Sequence, residues 1–392
     1  MSLFSFFVQK NKGNILRKNK TYTQDETIIL TLDISKLPVG TYILKIMDPY
    51  NRTIYQQKIS RESNRIVGKY ILSIPLSESY PDGIYSVYVI NIASGSTFKE
   101  TFIVKNPYFS KREIVLFNYF RIINYNGQEI FDVYARIVKP PHIPTVQEIN
   151  SITPLNFTPL REETDLDGNE WIVANFEKID ENKSIDIGYK SKITLLRRSY
   201  IPAKLSPSDY KKYTNSEPYI ESDDPRIIRI SESLYHRNFY QFIKNIQKWL
   251  HKNISYREMP SENGALFALK NKIGDCTEFS SLFVAICRAA NIPSRLVAGI
   301  AKGKKWENHA WAECYYDGKW IAVEPTWKEY VGLFGYFTNR ITLLYGNWMG
   351  DFITRDFSIR YRYHVKRNKE RINFSRNIKI LNYHYVQEKR KV

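Results

Sequence analysis

The chain has 392 residues, too many for one hydrophobic core and enough for roughly two to four domains. Hydrophobic residues make up 43% and charged residues 25%, with 29 Tyr and 21 Phe, so large cores can be buried and a disordered or collagen-like chain is excluded. The formal charge is +18, yet 12 Lys and Arg against 3 Asp and Glu fall within the last 38 residues, so half of the excess is local to the C-terminus. No apolar run approaches the roughly 20 residues of a membrane helix. Ser2-Leu3-Phe4-Ser5-Phe6-Phe7-Val8 lacks the basic lead and the length of a signal peptide, so a cytoplasmic protein with no membrane partner is expected. Three cysteines, Cys276, Cys287 and Cys314, are the wrong number for a disulfide framework.

Residues 1–108 alternate at period two in short runs separated by turns, at 27–32, 42–46, 70–74 and 85–89, which predicts a β-sandwich. Pro38-Val39-Gly40-Thr41-Tyr42 and Pro81-Asp82-Gly83-Ile84-Tyr85 each open a strand. The second resembles the tyrosine corner of immunoglobulin-like sandwiches, and macroglobulin-like modules share the pattern. Residues 109–225 read as a second β-rich domain and a linker, with strands at 130–138 and 170–176 and a crossing marked by Pro202, Pro207, Pro218 and Pro225. Asp224-Pro225 predicts a helix cap and first helical position.

A third, α+β domain is expected over 226–392. Phe239, Phe242, Ile243, Ile246, Trp249 and Leu250 line one face of a helix ending near Asn253. Further on, Phe357, Ile359, Tyr361, Tyr363 and Val365 alternate with Ser358, Arg360, Arg362 and His364, which predicts a strand with a basic side. A turn at 367–370 and a second strand from Ile372 would complete a basic C-terminal hairpin. This face reads as solvated or edge-protecting, not as a nucleic-acid groove.

Gly274-Asp275-Cys276-Thr277-Glu278 stands immediately before an apolar stripe at helical spacing, Phe279, Leu282, Phe283, Ile286 and Ala290, which Asn291 and Pro293 end. Cys276 is therefore placed at a helix N-terminus. There the free backbone N–H groups and the helix dipole stabilise a thiolate, and the same donors can receive an oxyanion. A lone cysteine is more often a small buried hydrophobe, but the downstream residues shift that balance. Two strands, 308–316 and 319–325, are joined by Asp317-Gly318, a two-residue hairpin signal. If Tyr316 pairs with Lys319, then Trp311 faces Glu324 and His309 faces Thr326. His309 and Glu324 then project from one face as diagonal neighbours, roughly 7 Å apart between Cβ atoms, so hairpin geometry gives the imidazole a carboxylate to orient it. The inference needs a two-residue turn, because a one-residue slip flips a strand's faces. The same parity sends Cys314 to the opposite face, and Cys287 lies about three turns along the helix from Cys276, so both read as packing residues. No C-x-x-C or H-x-x-x-H spacing supports a zinc site, and no metal or cofactor is expected.

Taken in order, Gly274-Asp275-Cys276, Arg288-Ala289-Ala290-Asn291-Ile292-Pro293-Ser294-Arg295, His309-Ala310-Trp311 and Glu324-Pro325-Thr326-Trp327 resemble the core of the transglutaminase-like superfamily, over about Asn253 to Trp327. The resemblance implies a multidomain chain in which N-terminal all-β sandwich domains precede an α+β papain-like domain. It also implies a catalytic triad carried onto Cys276, His309 and Glu324. The family has Asp where Glu324 stands; one extra methylene can still reach the imidazole, with an altered approach. The Cys276 backbone N–H would be one oxyanion donor, with Tyr256 or Trp249 as the second. Members include protein cross-linking acyltransferases, cysteine peptidases, peptide N-glycanases and catalytically inactive proteins. The expected function is attack on an amide bond of a peptide or protein substrate through a thioester, with a peptidase or amidase ranked ahead of a cross-linking enzyme and of a catalytically inactive interaction protein on the same fold. Asp165-Leu166-Asp167-Gly168-Asn169 is the nearest approach to a calcium loop and reads as a turn.

Overall fold

The computed structural model describes residues 4–10, 13–18, 21–22, 26–33, 37–48, 53–62, 69–75, 83–104, 111–125, 127–303, 305–346, 357–363 and 372–384. The chain divides into two compact units, Met1–Ser110 and Lys111–Val386. The first is β-rich, with strands β1 (Phe4–Lys10), β2 (Gly13–Lys18), β3 (Thr21–Tyr22), β4 (Glu26–Asp33), β5 (Gly40–Met47), β6 (Thr53–Arg61), β7 (Lys69–Pro75), β8 (Gly83–Asn91) and β9 (Thr97–Val104). They form two sheets, in the orders β2-β1-β4-β7 and β3-β9-β8-β5-β6.

Alternation builds the core of this unit. Leu30 and Leu32 from one sheet meet Tyr42, Leu44, Ile46, Tyr85, Val87, Val89, Phe102 and Val104 from the other. Of the two turn signatures, the first shows the tyrosine bond, with the Tyr42 hydroxyl donating to the Pro38 carbonyl at 2.7 Å. In the second, Pro81 and Asp82 lie outside the described residues, while Tyr85 is buried and stacked on its cross-strand partner Phe102.

The second unit begins with β10 (Lys111–Asn124), β11 (Ile130–Val138), β12 (Gln147–Leu155), β13 (Arg161–Thr164), β14 (Glu170–Ile179) and β15 (Ser184–Leu196). It continues through β16 (Ile201–Pro202), α1 (Pro207–Thr214), α2 (Pro225–Leu234), α3 (Phe239–Asn253), β17 (Ser255–Tyr256), α4 (Gly264–Asn271), β18 (Ile273–Gly274) and α5 (Cys276–Ala289). After these come β19 (Ser294–Lys302), β20 (Trp306–Tyr316), β21 (Lys319–Val323), β22 (Arg340–Tyr345), β23 (Phe357–Tyr363) and β24 (Ile372–His384). Among the described residues no helix is long and apolar enough to cross a membrane. The architecture is thus an N-terminal β-rich region followed by a mixed α+β region.

Two four-stranded sheets, β12-β15-β10-β24 and β13-β14-β11-β23, enclose one core with Ile122, Ile130, Ile137, Ile187 and Phe357 inside it. The basic C-terminal strands do not pair with one another in the described residues. β23 lies beside β11 and β24 beside β10, one in each sheet, and the turn expected at 367–370 is outside the described residues. The Pro-marked stretch at 202–225 carries α1, with Ser206 as N-cap and Pro207 in the first turn, and it buries Tyr213 and Ile220. Pro207 therefore starts a helix; Pro225 likewise follows the Asp224 cap of α2, as the sequence predicts, whereas Pro202 lies in β16. The Asp165–Asn169 segment is a turn, as read, closed by Asp165 accepting the N–H groups of Asp167 and Asn169.

The five-stranded sheet β16-β21-β20-β19-β22 carries α5 against one face. Phe279, Leu282, Phe283 and Ile286 of α5 pack with Leu296, Ala312, Cys314 and Val323, and with Phe242, Ile246 and Leu250 of α3. Gly299 sits mid-strand opposite His309 on one side and Thr342 on the other. A Cβ there would overlap the Ile341 carbonyl oxygen and crowd the Trp311 ring. Gly299→Ala should therefore destabilise the second unit by roughly 1–3 kcal/mol, read as a lower urea midpoint with unchanged slope. An unaltered midpoint would show that the sheet gives way at this point without cost.

Candidate active site

α5 begins at the Cys276 thiol. Asp275 is its N-cap, accepting the Thr277 N–H through Oδ1 at 2.8 Å and the Met259 N–H through Oδ2 at 3.3 Å. Glu278 closes the reciprocal half of a capping box, accepting the Asp275 N–H through Oε2 at 3.0 Å and the Asn263 N–H through Oε1 at 2.8 Å. Its carboxylate is fully buried, and burial pushes its pKa upward. Asp-x-x-Glu before an apolar run is the local signal for both capping side chains. A Cβ at Gly274 would overlap Glu278 Cβ, so that glycine allows close packing of the capping side chain.

Cys276 is partly exposed, whereas Cys287 and Cys314 are buried. The latter two thiols lie 3.9 Å apart and unbridged, and burial, together with contact with Cys314, pushes the Cys287 thiol well above its ordinary value. Cys314 packs with the α5 core while Trp311 joins a separate cluster with Val297, Ala322 and Tyr336, as the strand parity requires.

The β20–β21 hairpin has the register expected from its turn. Tyr316 pairs with Lys319 and Ala312 with Val323, and Asp317 and Gly318 both have positive φ, at 50° and 70°. Glu324 follows β21 directly, and its Oε2 lies 2.9 Å from His309 Nε2. Both side chains are buried, His309 5% and Glu324 0% exposed, so the contact is shielded from water. The Cys276 thiol acts on the same ring and, like Glu324, raises its pKa. Burial alone would strip the proton from His309; the Glu324 charge and the hydrogen bonds to Cys276 and Glu324 outweigh it and hold the pKa up to about 9. Burial works against Glu324 ionisation too, but the charges of His309 and Arg340 and the hydrogen bonds it accepts hold it down to about 2.

Four donors saturate the Glu324 carboxylate. Oε2 accepts from His309 and, at 2.7 Å, from an Arg340 guanidinium nitrogen; Oε1 accepts the Thr326 N–H at 2.8 Å and the Trp327 N–H at 3.2 Å. Gln247 of α3 fixes the backbone at this point. Its fully buried amide donates to the Glu324 carbonyl at 2.9 Å and accepts the Gly332 N–H at 2.9 Å. The Trp327 ring stacks on His309 with centroids 4.3 Å apart and planes 17° from parallel. Arg340 and Gln247 were missed in the sequence; a Gln inside the apolar stripe of α3 is a signal for the second, and no local pattern marks the first.

The two residues named as second oxyanion donors lie in different surroundings. Tyr256 pairs with Gly274 in the parallel β17–β18 ladder, two residues before the thiol. Partial burial, then the charges of Cys276 and Asp275, push its phenol up to about 12, so it stays a hydrogen-bond donor at neutral pH. Trp249 packs against the helical core, with Lys272 Nζ 5.7 Å from its ring centroid. His251, at the end of α3, was not singled out in the sequence. Its ring lies 5.9 Å from Phe279, and burial lowers its pKa.

Residues 230–325 match the transglutaminase-like superfamily core. The chain is 27% identical over 147 residues to the uncharacterized protein YebA of Bacillus subtilis, covering 30% of this chain and 20% of YebA. It is 29% identical over 89 residues to human kyphoscoliosis peptidase, covering 20% of this chain and 13% of the peptidase. A protein-glutamine gamma-glutamyltransferase of Pseudomonas aeruginosa is 27% identical over 99 residues, covering 21% of this chain and 15% of that enzyme. The chain thus spans about a fifth or less of the length of these relatives. Residues 230–325 are a transglutaminase-like superfamily domain, carried in a chain whose N-terminal region is β-rich.

Proposed function

We propose that this protein is a thiol-dependent enzyme that attacks amide bonds through Cys276, His309 and Glu324, hydrolysing a peptide or protein substrate by way of a thioester. The observation that carries the reading is the buried His309 imidazole, with an ionised carboxylate 2.9 Å away and the helix-terminal Cys276 thiol acting on the same ring. Helix α5 stabilises negative charge at Cys276 through the positive end of its dipole. His309, protonated beside Glu324, forms an ion pair with the thiolate. The thiolate adds to the amide carbonyl, and the oxyanion is received by the Cys276 N–H and the Tyr256 hydroxyl. His309 then gives its proton to the leaving amine, the C–N bond breaks and the thioester remains. Water, deprotonated by His309, attacks the thioester and returns the thiol. Glu324 keeps the imidazole in one orientation and tautomer throughout, and its longer reach than Asp is accommodated by the 2.9 Å contact.

Two of these relatives, a peptidase and a protein-glutamine gamma-glutamyltransferase, carry names that describe chemistry at an amide carbonyl. They differ in what resolves the thioester. With a dansyl-amine acceptor present, hydrolysis predicts release of free carboxylate and no labelled protein, whereas a cross-linking enzyme would incorporate the amine.

Peptide mass spectrometry after iodoacetamide treatment at about pH 6.5 should find Cys276 modified while Cys287 and Cys314 stay intact. His309→Ala should slow that modification by roughly a hundredfold, the ionised fraction of an ordinary thiol at this pH. Equal, slow reaction of Cys276 in both proteins would leave an interaction module on an enzyme's fold. The pH dependence has a definite sign. With the His309 pKa held up to about 9, proton donation to the leaving amine, and so hydrolysis, should decline as pH rises through about 9. The stability from the raised His309 pKa is fully present below the ordinary value near 6.5 and is lost over the same rise. That from Glu324 is present above its ordinary 4.5 and is lost as pH falls toward about 2. Thermal melts across this range should show a plateau bounded by both losses; monotonic stability from acid to alkaline pH would contradict the assignment.

A further inference from the structure

Arg340 is a buried cation that the triad chemistry does not require. It opens β22, is 6% exposed, and donates to the same Glu324 oxygen that His309 uses. Its remaining nitrogens, Nε and the second terminal nitrogen, are buried without a hydrogen-bond partner. Burying a guanidinium with two donor groups unsatisfied is costly, so the contact with Glu324 is not the by-product of a well-solvated arginine. Aromatic faces replace the missing partners. The guanidinium carbon is 4.8 Å from the Tyr330 ring centroid, 5.2 Å from Phe337, 5.6 Å from Trp327 and 5.8 Å from Trp311. Trp327 is shared, since it also stacks on His309. Gly299 makes the enclosure possible, because a side chain there would crowd the Trp311 ring.

We infer that Arg340 is a positioning residue for the triad: it fixes the Glu324 carboxylate against His309 and keeps it ionised, so that a glutamate can serve where a shorter aspartate would reach the imidazole directly. The inference rests on the proposed role of the triad. A glutamate has one more rotatable bond than an aspartate, and the Arg340 bond together with the Thr326 and Trp327 N–H groups removes that freedom. Six groups act on this site. His309 and Arg340 contact Glu324, the Cys276 thiol acts on His309, Lys328 and His251 interact electrostatically, and Tyr330 flanks Arg340. Of these, only His309 and Arg340 touch the carboxylate.

Removing a cation raises the proton affinity of both its neighbours. In Arg340→Met, of similar length and no charge, Glu324 should take up a proton at higher pH. The acid limb of Cys276 alkylation should move up by about one pH unit or more, so that the rate at a fixed pH on that limb falls about tenfold. Histidine-selective 15N NMR of the full chain should also show His309 holding its proton to higher pH than in the parent. A merely structural arginine would lower the amplitude of alkylation and leave both titrations in place. Arg340→Lys keeps the charge but not the planar fork, so it should leave the acid limb where it is and slow alkylation at neutral pH about tenfold. An acid limb unmoved in folded Arg340→Met overturns the inference. If that variant does not fold, parental alkylation by folded Arg340→Lys overturns it instead. Should His309→Ala leave Cys276 alkylation unchanged, it is the triad reading that fails; a slowed His309→Ala with an unmoved Arg340→Met limb removes only the role of Arg340.

Discussion

A fully buried carboxylate is the feature on which the rest of this site depends. An isolated Glu324 in that position would neutralise itself by taking up a proton, and an uncharged carboxyl would neither hold nor charge the imidazole. Four donors from three chain segments prevent this: His309 on β20, Arg340 on β22, and the two N–H groups of the bend after β21. Each segment is brought to the carboxylate by a different element of the fold. The hairpin turn sets His309 against Glu324, the β19–β22 pairing delivers Arg340, and Gln247 of α3 pins the bend from the helical side.

The thiol half is built separately and more locally. Asp275 and Glu278 satisfy the first N–H groups of α5 and tie the helix start to the segments around Met259 and Asn263. α5 is then locked to the strand that carries the imidazole by apolar packing and by the Ser280 hydroxyl donating to the Ala310 carbonyl at 3.2 Å. The distance between the thiol and the imidazole is therefore set by a helix and a strand, both rigid, and not by a loop.

Local rules made much of this legible. The Asp317-Gly318 turn fixes a hairpin register, and that register alone brings His309 and Glu324 together; the cap residues and apolar stripe fix where α5 begins. Arg340 stayed hidden because its place depends on which strand flanks β19, a matter of sheet order that no window of sequence encodes. Pro207, read as part of a crossing, in fact occupies the first turn of α1, where its missing N–H costs nothing, while Pro225 opens α2 behind the Asp224 cap as the sequence predicts. Strands β23 and β24 were visible as alternation, but their partners were not, since pairing across the length of a unit leaves no local trace.

Those two strands bear on how the chain is made. On a ribosome, β10 emerges early and finds β15 soon afterwards, yet its other edge waits for β24, with Asn124 opposite Ile372. β11 waits likewise for β23. Until then both sheets present open edges, and edges left open during synthesis are where chains pair wrongly with one another. β23 and β24 themselves end as edge strands, and Arg360 and Arg362 on one and Lys379 on the other place like charge where another chain would pair.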